Sequence, residues 1–143
     1  MKINDFIICD DVRQEVGNKF SLMGIYDEDI KIQTQKPESL VWPLPINLAI
    51  FCRVTHESVD GSVDYFEFMA VQNNMEVAKI QGGVVLQSTE KAFPITVKMP
   101  GFPLLGEGTL KFRIKFGYKG KWVYNEEAPK TINISVTKLP TNT

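Results

Sequence analysis

The sequence contains few of the residues on which metal and catalytic chemistry most often depends. It has one histidine and two cysteines among 143 residues, too few for the four Cys and His ligands of a structural zinc site. His56 stands alone, and the chain has neither a Gly-x-Ser-x-Gly turn nor a Gly-rich phosphate loop. We therefore expect no catalytic residue, no metal and no cofactor, and predict that the protein is not an enzyme.

Long hydrophobic runs and an excess of positive charge are also absent. No apolar run approaches the ~20 residues that span a bilayer, and acidic residues interrupt the first apolar stretch, which argues against a signal peptide. The net charge of −1 does not favour contact with phosphate backbones. These observations predict a cytoplasmic protein with no membrane and no nucleic-acid partner. Cys9 and Cys52 are expected to be buried thiols, with a bridge between the two sheets as the alternative.

The dominant pattern is an alternation of apolar and polar residues, which is typical of strands with one buried face. It is clearest at 46–55 and 109–118, and turn sequences such as Asn73-Asn74, Lys119-Gly120 and Asp60-Gly61 separate the runs. The predicted strands are 3–9, 19–26, 28–33, 46–55, 62–72, 75–86, 93–99, 109–118 and a last region that includes 131–137.

This pattern predicts an all-β fold. We expect an antiparallel two-sheet β-sandwich, immunoglobulin-like or a related Greek key, with a β-barrel as the alternative. Residues 1–139 are expected to form a single domain, followed by a loose tail at 140–143.

Two acidic clusters, Asp10-Asp11 and Asp27-Glu28-Asp29, resemble the calcium-binding loops of some β-sandwiches. If the first two strands form a hairpin, the clusters are expected at opposite ends of it, too far apart to share one ion. We therefore interpret both clusters as turn and surface residues, and expect Asp11 and Arg13 to fix the connection between the strands.

Two segments, 41–45 and 100–105, are unusually apolar for loops. If successive strands alternate in direction, both segments lie at the same end of the sandwich. The candidate partner-binding patch formed there comprises Trp42, Leu44, Phe102, Leu104 and Leu105. The alternative is that these residues close the open end of the core.

The first part of the chain, with Cys9-Asp10-Asp11-Val12-Arg13 followed by Lys19-Phe20-Ser21-Leu22-Met23-Gly24-Ile25-Tyr26, resembles a family of short bacterial and phage-encoded proteins of unknown function. The resemblance covers about the first fifth of the chain well and carries no known chemistry. It implies a bacterial or phage origin and a small cytoplasmic β-domain, or a component of a phage particle assembled in the cytoplasm. Gly24 is expected to allow close packing or a bulge.

Two functions remain open at this point. The first is a non-catalytic protein-binding or assembly module, whose partner is another protein or a second copy of the chain. The alternative is a small-ligand-binding β-sandwich with a pocket lined by Trp42, Tyr26, Phe102 or Trp122.

Overall fold

A computed structural model describes residues 2–17, 19–55, 63–84 and 92–140. Within these ranges the chain forms ten strands and one short 3-10 helix, Pro37–Ser39. The strands are β1 (Lys2–Glu15), β2 (Lys19–Ile25), β3 (Asp29–Thr34), β4 (Leu44–Thr55), β5 (Tyr65–Gln72), β6 (Met75–Gly83), β7 (Ala92–Leu104), β8 (Gly108–Tyr118), β9 (Lys121–Glu127) and β10 (Ile132–Lys138). The described residues include no helix that is long and apolar enough to cross a membrane.

The strands form two sheets that pack face to face. The first sheet has the order β2-β1-β4-β7, and the second has the order β3-β10-β8-β5-β6, with β9 paired to β8. All pairs described are antiparallel except β3 with β10, which run parallel. The predicted β-sandwich is confirmed, and the sheets do not close into a barrel in the described residues.

The main core lies between the two sheets, where the alternating apolar side chains of each strand meet. The rings of Phe6, Phe68 and Phe112 form its centre, with centroids 5.4 to 6.5 Å apart. Cys52 lies in this core, whereas Cys9 is buried on the outer face of the first sheet; both thiols are free. The prediction of two buried thiols is therefore confirmed. No disulfide joins them, because the first sheet separates the two side chains.

A second, smaller hydrophobic cluster covers the outer face of the first sheet. It contains Cys9, Val12, Ala49 and Phe51, with Ile7, Phe20 and Leu22 packed against it. The rings of Phe20 and Phe51 lie 5.2 Å apart, although the strands that carry them are not neighbours in the sheet. The twisted β1–β2 hairpin therefore folds back over β4 and buries apolar residues on a face that would otherwise meet solvent.

Three differences from the predicted strands matter below. β1 continues through the acidic residues to Glu15, β7 continues through Pro100 and Pro103 to Leu104, and the last predicted region is two strands, β9 and β10. The hairpins at Asn73-Asn74 and Lys119-Gly120 are confirmed, and all four residues have the positive φ of their tight turns. His56, the Asp60-Gly61 turn and residues 141–143 of the predicted tail lie outside the described residues.

Candidate interaction surface

The two apolar segments predicted to form a patch lie side by side, but as paired strands rather than as loops. Leu44 pairs with Leu104, and Ile46 pairs with Phe102, at the ends of β4 and β7. The expectation that both segments lie at the same end of the sandwich is therefore met. We call this region the closed end.

The closed end does not present these side chains as a surface. Phe102 is 2% exposed and Leu104 is fully buried, while Trp42 and Leu44 are half-buried against the main core and Leu105 is half-buried. The exposed patch predicted from the sequence is thus replaced by its alternative, closure of the core. The physical reason is that strand alternation continues through Pro103, so that Phe102 and Leu104 both point inward.

A buried glutamine holds the closed end in place. Gln72 is fully buried at the end of β5, where its side-chain amide donates to the carbonyl of Gly106 at 2.7 Å. Its carbonyl oxygen accepts from the Leu105 N–H at 2.8 Å. The turn after β7 is therefore fixed by a side chain from the other sheet, which satisfies the half-buried Leu105 N–H and Gly106 carbonyl as well as its own buried amide.

The acidic residues of the first hairpin are also arranged differently from the prediction. The turn of this hairpin begins after Glu15, so Asp10 lies within β1 and close to Tyr26, whose hydroxyl donates to its carboxylate. The expected separation of Asp10 from the 27–29 cluster was therefore wrong. A Cβ at Gly24, whose φ is +64°, would clash with the Asp10 carboxylate, so Gly24 makes room for this side chain.

Asp11 and Arg13 do contact each other, at 3.7 Å, but the Arg13 side chain is largely exposed and that of Asp11 is partly exposed. Asp11 also forms an ion pair with Lys98 on β7 at 3.4 Å, which links the hairpin to the far side of β4. Desolvation would raise the pKa of the Asp11 carboxyl, but its hydrogen bond and ion pair with Lys98 outweigh this effect and lower the pKa. Exposed pairs of this kind contribute little to stability, so the hairpin depends more on its apolar cluster than on these charges.

Two exposed apolar side chains are neighbours on β9, the second strand of the hairpin that follows β8; the other large exposed apolar residues described are Val16, Met23, Ile25, Val41 and Met75. Trp122 is 47% exposed and the adjacent Val123 is 53% exposed. Trp122 pairs with Gly117 and Tyr124 pairs with Phe116, which leaves Val123 as the extra residue of a β-bulge. The bulge interrupts the alternation of the strand where these two adjacent residues are both exposed. In the described residues β9 pairs only with β8, so its outer edge has no neighbouring strand.

Contacts with Tyr65 and Lys115, together with the space left by Gly117, set the orientation of the Trp122 ring. The ring lies 5.6 Å from that of Tyr65 on β5, and the ammonium group of Lys115 lies 5.3 Å from its centroid. Gly117 supplies the necessary space, because a Cβ there would lie 3.4 Å from the Trp122 ring and 3.3 Å from the carbonyl of Lys121. Trp122 is therefore an exposed aromatic side chain whose position is set before any partner arrives.

The Lys115 side chain is in turn held by a buried carboxylate on the same outer face. Glu67 is 4% exposed, accepts a hydrogen bond from Gln81 at 2.7 Å and lies 3.4 Å from Lys115. Burial alone would raise the pKa of the Glu67 carboxyl, but the hydrogen bond from Gln81 and the charge of Lys115 outweigh it and lower the pKa. Glu67 therefore stays ionised and keeps Lys115 beneath Trp122.

A small pocket of about 190 Å³ opens beside the Trp122 ring, at the tip of the β8–β9 hairpin. It is lined by Asp64, Tyr65, Gly117, Gly120, Lys121 and Trp122. Asp64 supports the tip, because its carboxylate accepts from the Lys119 N–H at 3.2 Å and its own N–H donates to the Gly117 carbonyl at 3.0 Å. We call the pocket and the free edge of β9 together the β9 surface.

Comparison with known proteins gives no further guide to this surface. No family model matches the chain, and no curated protein matches it.

The sequence did not single out the β9 surface, although parts of its signal were present. The Lys119-Gly120 turn predicted the hairpin, and Trp122 was one of four aromatic residues considered for a ligand pocket. The exposure of Trp122 depends on Gly117 opposite it and on the extra residue Val123, and neither relation is visible before the strands are paired.

Proposed function

We propose that the protein is a non-catalytic protein-binding module that acts through the β9 surface. Its occupant is an extended segment of a protein partner, which adds to the free edge of β9 as a further strand. The observation that carries this proposal is the half-exposed Trp122, held against Tyr65 on a strand with an open edge. Strand addition draws affinity from main-chain hydrogen bonds and specificity from pockets for individual side chains.

Exposure and fixed orientation both favour Trp122 as the principal contact. Tryptophan is enriched among the residues that dominate protein interfaces, and a side chain that is already positioned loses little entropy on binding. Lys115 remains under the ring because Glu67 holds it by an ion pair. The site therefore combines a rigid aromatic face with exposed backbone groups on the adjoining edge.

The size of the pocket favours a partner's side chain over a free small molecule. Sites for small ligands enclose roughly 300–1,000 Å³, whereas this pocket has about 190 Å³. A single apolar or aromatic side chain of an added strand fits that space. We therefore prefer the protein-binding function to the small-ligand alternative.

Selection from a random peptide library on the purified chain tests the proposal and does not require an identified partner. We expect enriched peptides whose affinity falls at least about tenfold on Trp122→Ala, because the substitution removes the central aromatic contact. Met75→Ala is the matched control, since Met75 is also an exposed apolar residue and lies on a different edge strand, β6.

The control variant should bind the selected peptides as the wild type does. Failure to enrich any peptide, or peptides that bind the Trp122→Ala variant with unchanged affinity, would exclude the β9 surface as the binding site.

A further inference from the structure

We infer that the β9 surface binds a second copy of this chain, by antiparallel pairing of β9 with β9 about a twofold axis. The inference rests on the proposed function and names a partner for the same surface. It is carried by the distribution of charge along β9 together with the exposed apolar residues in the strand's first half.

The charges of β9 are segregated along its length. The strand begins with Lys121 and ends with Glu126-Glu127, and its middle residues carry no charge. No ion pair forms to Lys121, Glu126 or Glu127 within the described residues. The strand therefore has a basic start and an acidic end, and Arg113 on β8 lies opposite Glu127 in the sheet without forming an ion pair with it.

Antiparallel pairing of two copies compensates both ends at once. With the twofold axis at Tyr124, Lys121 of one copy faces Glu127 of the second copy, and the reciprocal pair forms at the other end. If the bulged residue Val123 adds an extra position, Lys121 faces Glu126 instead. Parallel pairing would align like charges, which is destabilising. The charges of two β9 strands are thus complementary when the strands run antiparallel and not when they run parallel.

Two other edge strands, β7 and β2, carry features that oppose such pairing, whereas β3, a shorter edge of six residues, has neither proline nor glycine. β7 has Pro94, Pro100 and Pro103 along its length, and proline both lacks the N–H of a strand donor and disfavours edge addition. In β2, Gly24 near the end of the strand has a φ of +64° and departs from the extended backbone. The described part of β9 has neither proline nor glycine.

The expected complex is weak, because one seven-residue edge buries a small area. Interfaces below about 1,200 Å² are typical of transient encounters, and affinities in the micromolar range or weaker correspond to them. We therefore expect a monomer of 16.2 kDa at low concentration and a reversible dimer at high concentration.

Sedimentation equilibrium of the full chain between about 1 µM and about 1 mM tests the inference, over the range in which weak complexes form. The average mass of the wild type should rise from 16.2 kDa towards twice that value. Lys121→Glu makes the strand acidic at both ends, and the double variant Glu126→Lys with Glu127→Lys makes it basic at both ends. Each variant alone should remain monomeric because like charges meet at both ends.

An equimolar mixture of the acidic and basic variants should associate again, since opposite charges then meet at both ends. This recovery distinguishes specific β9 pairing from a variant that merely fails to fold, because a misfolded chain does not regain association in the mixture. Lys19→Glu on β2 is the matched control, as it reverses one charge at the start of another edge strand. It should dimerise as the wild type does.

A wild type that stays at 16.2 kDa, a mixture that does not associate, or loss of association only with Lys19→Glu would each overturn the inference. If the wild type is monomeric but still selects peptides through Trp122, self-pairing is excluded while the proposed function stands. If the selected peptides also ignore Trp122, both proposals fail.

Discussion

The two tryptophans of the chain lie in contrasting surroundings. Trp42 is half-buried at the closed end, where it packs against the main core. Trp122 is held on the outer face of the second sheet, with 47% of its surface open to solvent. The comparison shows that the apolar segments 41–45 and 100–105 close the core, whereas the two adjacent apolar residues Trp122 and Val123 on a short edge strand remain exposed.

The largest expected difference between the two regions is in stability. Phe102→Ala should lower the free energy of unfolding by about 3–5 kcal/mol, because it empties a fully packed site in the core. Trp122→Ala should lower it by about 1 kcal/mol or less, since the ring is half-exposed and rests on one sheet. Urea unfolding of both variants measures the contrast; equal losses would contradict it.

The second prediction concerns polar contacts in the same two regions. Gln72→Leu should cost about 1–3 kcal/mol, because it leaves the Leu105 N–H and the Gly106 carbonyl without their partner. Asn125→Leu removes the exposed hydrogen bond that Arg113 donates to Asn125 and should change stability by about 0.5 kcal/mol or less. Thermal or urea unfolding checks both values, and a Gln72→Leu variant as stable as the wild type would show that the closed end does not depend on this residue.

The smallest expected effect is a difference between the two regions in how their contribution to stability depends on pH. The pKa of Glu67 is lower in the folded chain than its ordinary value of about 4.3, so its contribution to stability is fully present above that pH. The contribution is lost as the pH falls through the lowered folded pKa. The stability difference between the wild type and Glu67→Gln should therefore shrink between about pH 5 and pH 3.

The control for this prediction is Phe102→Ala, whose deficit involves no titrating group and should stay constant over the same range. Unfolding curves at several pH values provide the measurement. A Glu67→Gln deficit that does not change with pH would mean that the carboxylate charge is not what holds Lys115 in place.

Much of the fold could be predicted from alternation alone, because each strand carries its own buried face. The closed end was misjudged where prolines made a strand look like a loop. Yet Leu44 and Ile46, like Phe102 and Leu104, keep the period of two across the proline between them, and this signal was available. Pro103 lies on the edge strand β7, and Pro45 lies in the part of β4 that pairs with β7 but not with β1, so neither proline ends its strand.

The β9 surface could not be predicted in the same way, because its features depend on pairing between distant strands. Glu67 lies on an outward-facing position, and only its position across from Lys115 and Gln81 explains its burial. Likewise, β10 pairs with residues 108–110 of β8 and β9 pairs with residues 113–118. This division of β8 between two partners leaves Trp122 exposed on an edge strand. No local pattern in the sequence specifies that arrangement.

Amide hydrogen exchange of the wild type, followed in the separate segments 92–104 and 121–127, tests most directly whether the chain associates with itself through β9 rather than through the closed end. We predict that exchange in 121–127 slows several-fold when the protein concentration is raised from about 10 µM to about 1 mM, where weak pairing becomes populated. Exchange in 92–104 should not change. Exchange in 121–127 that is independent of concentration, or slowing confined to 92–104, would contradict self-association through β9.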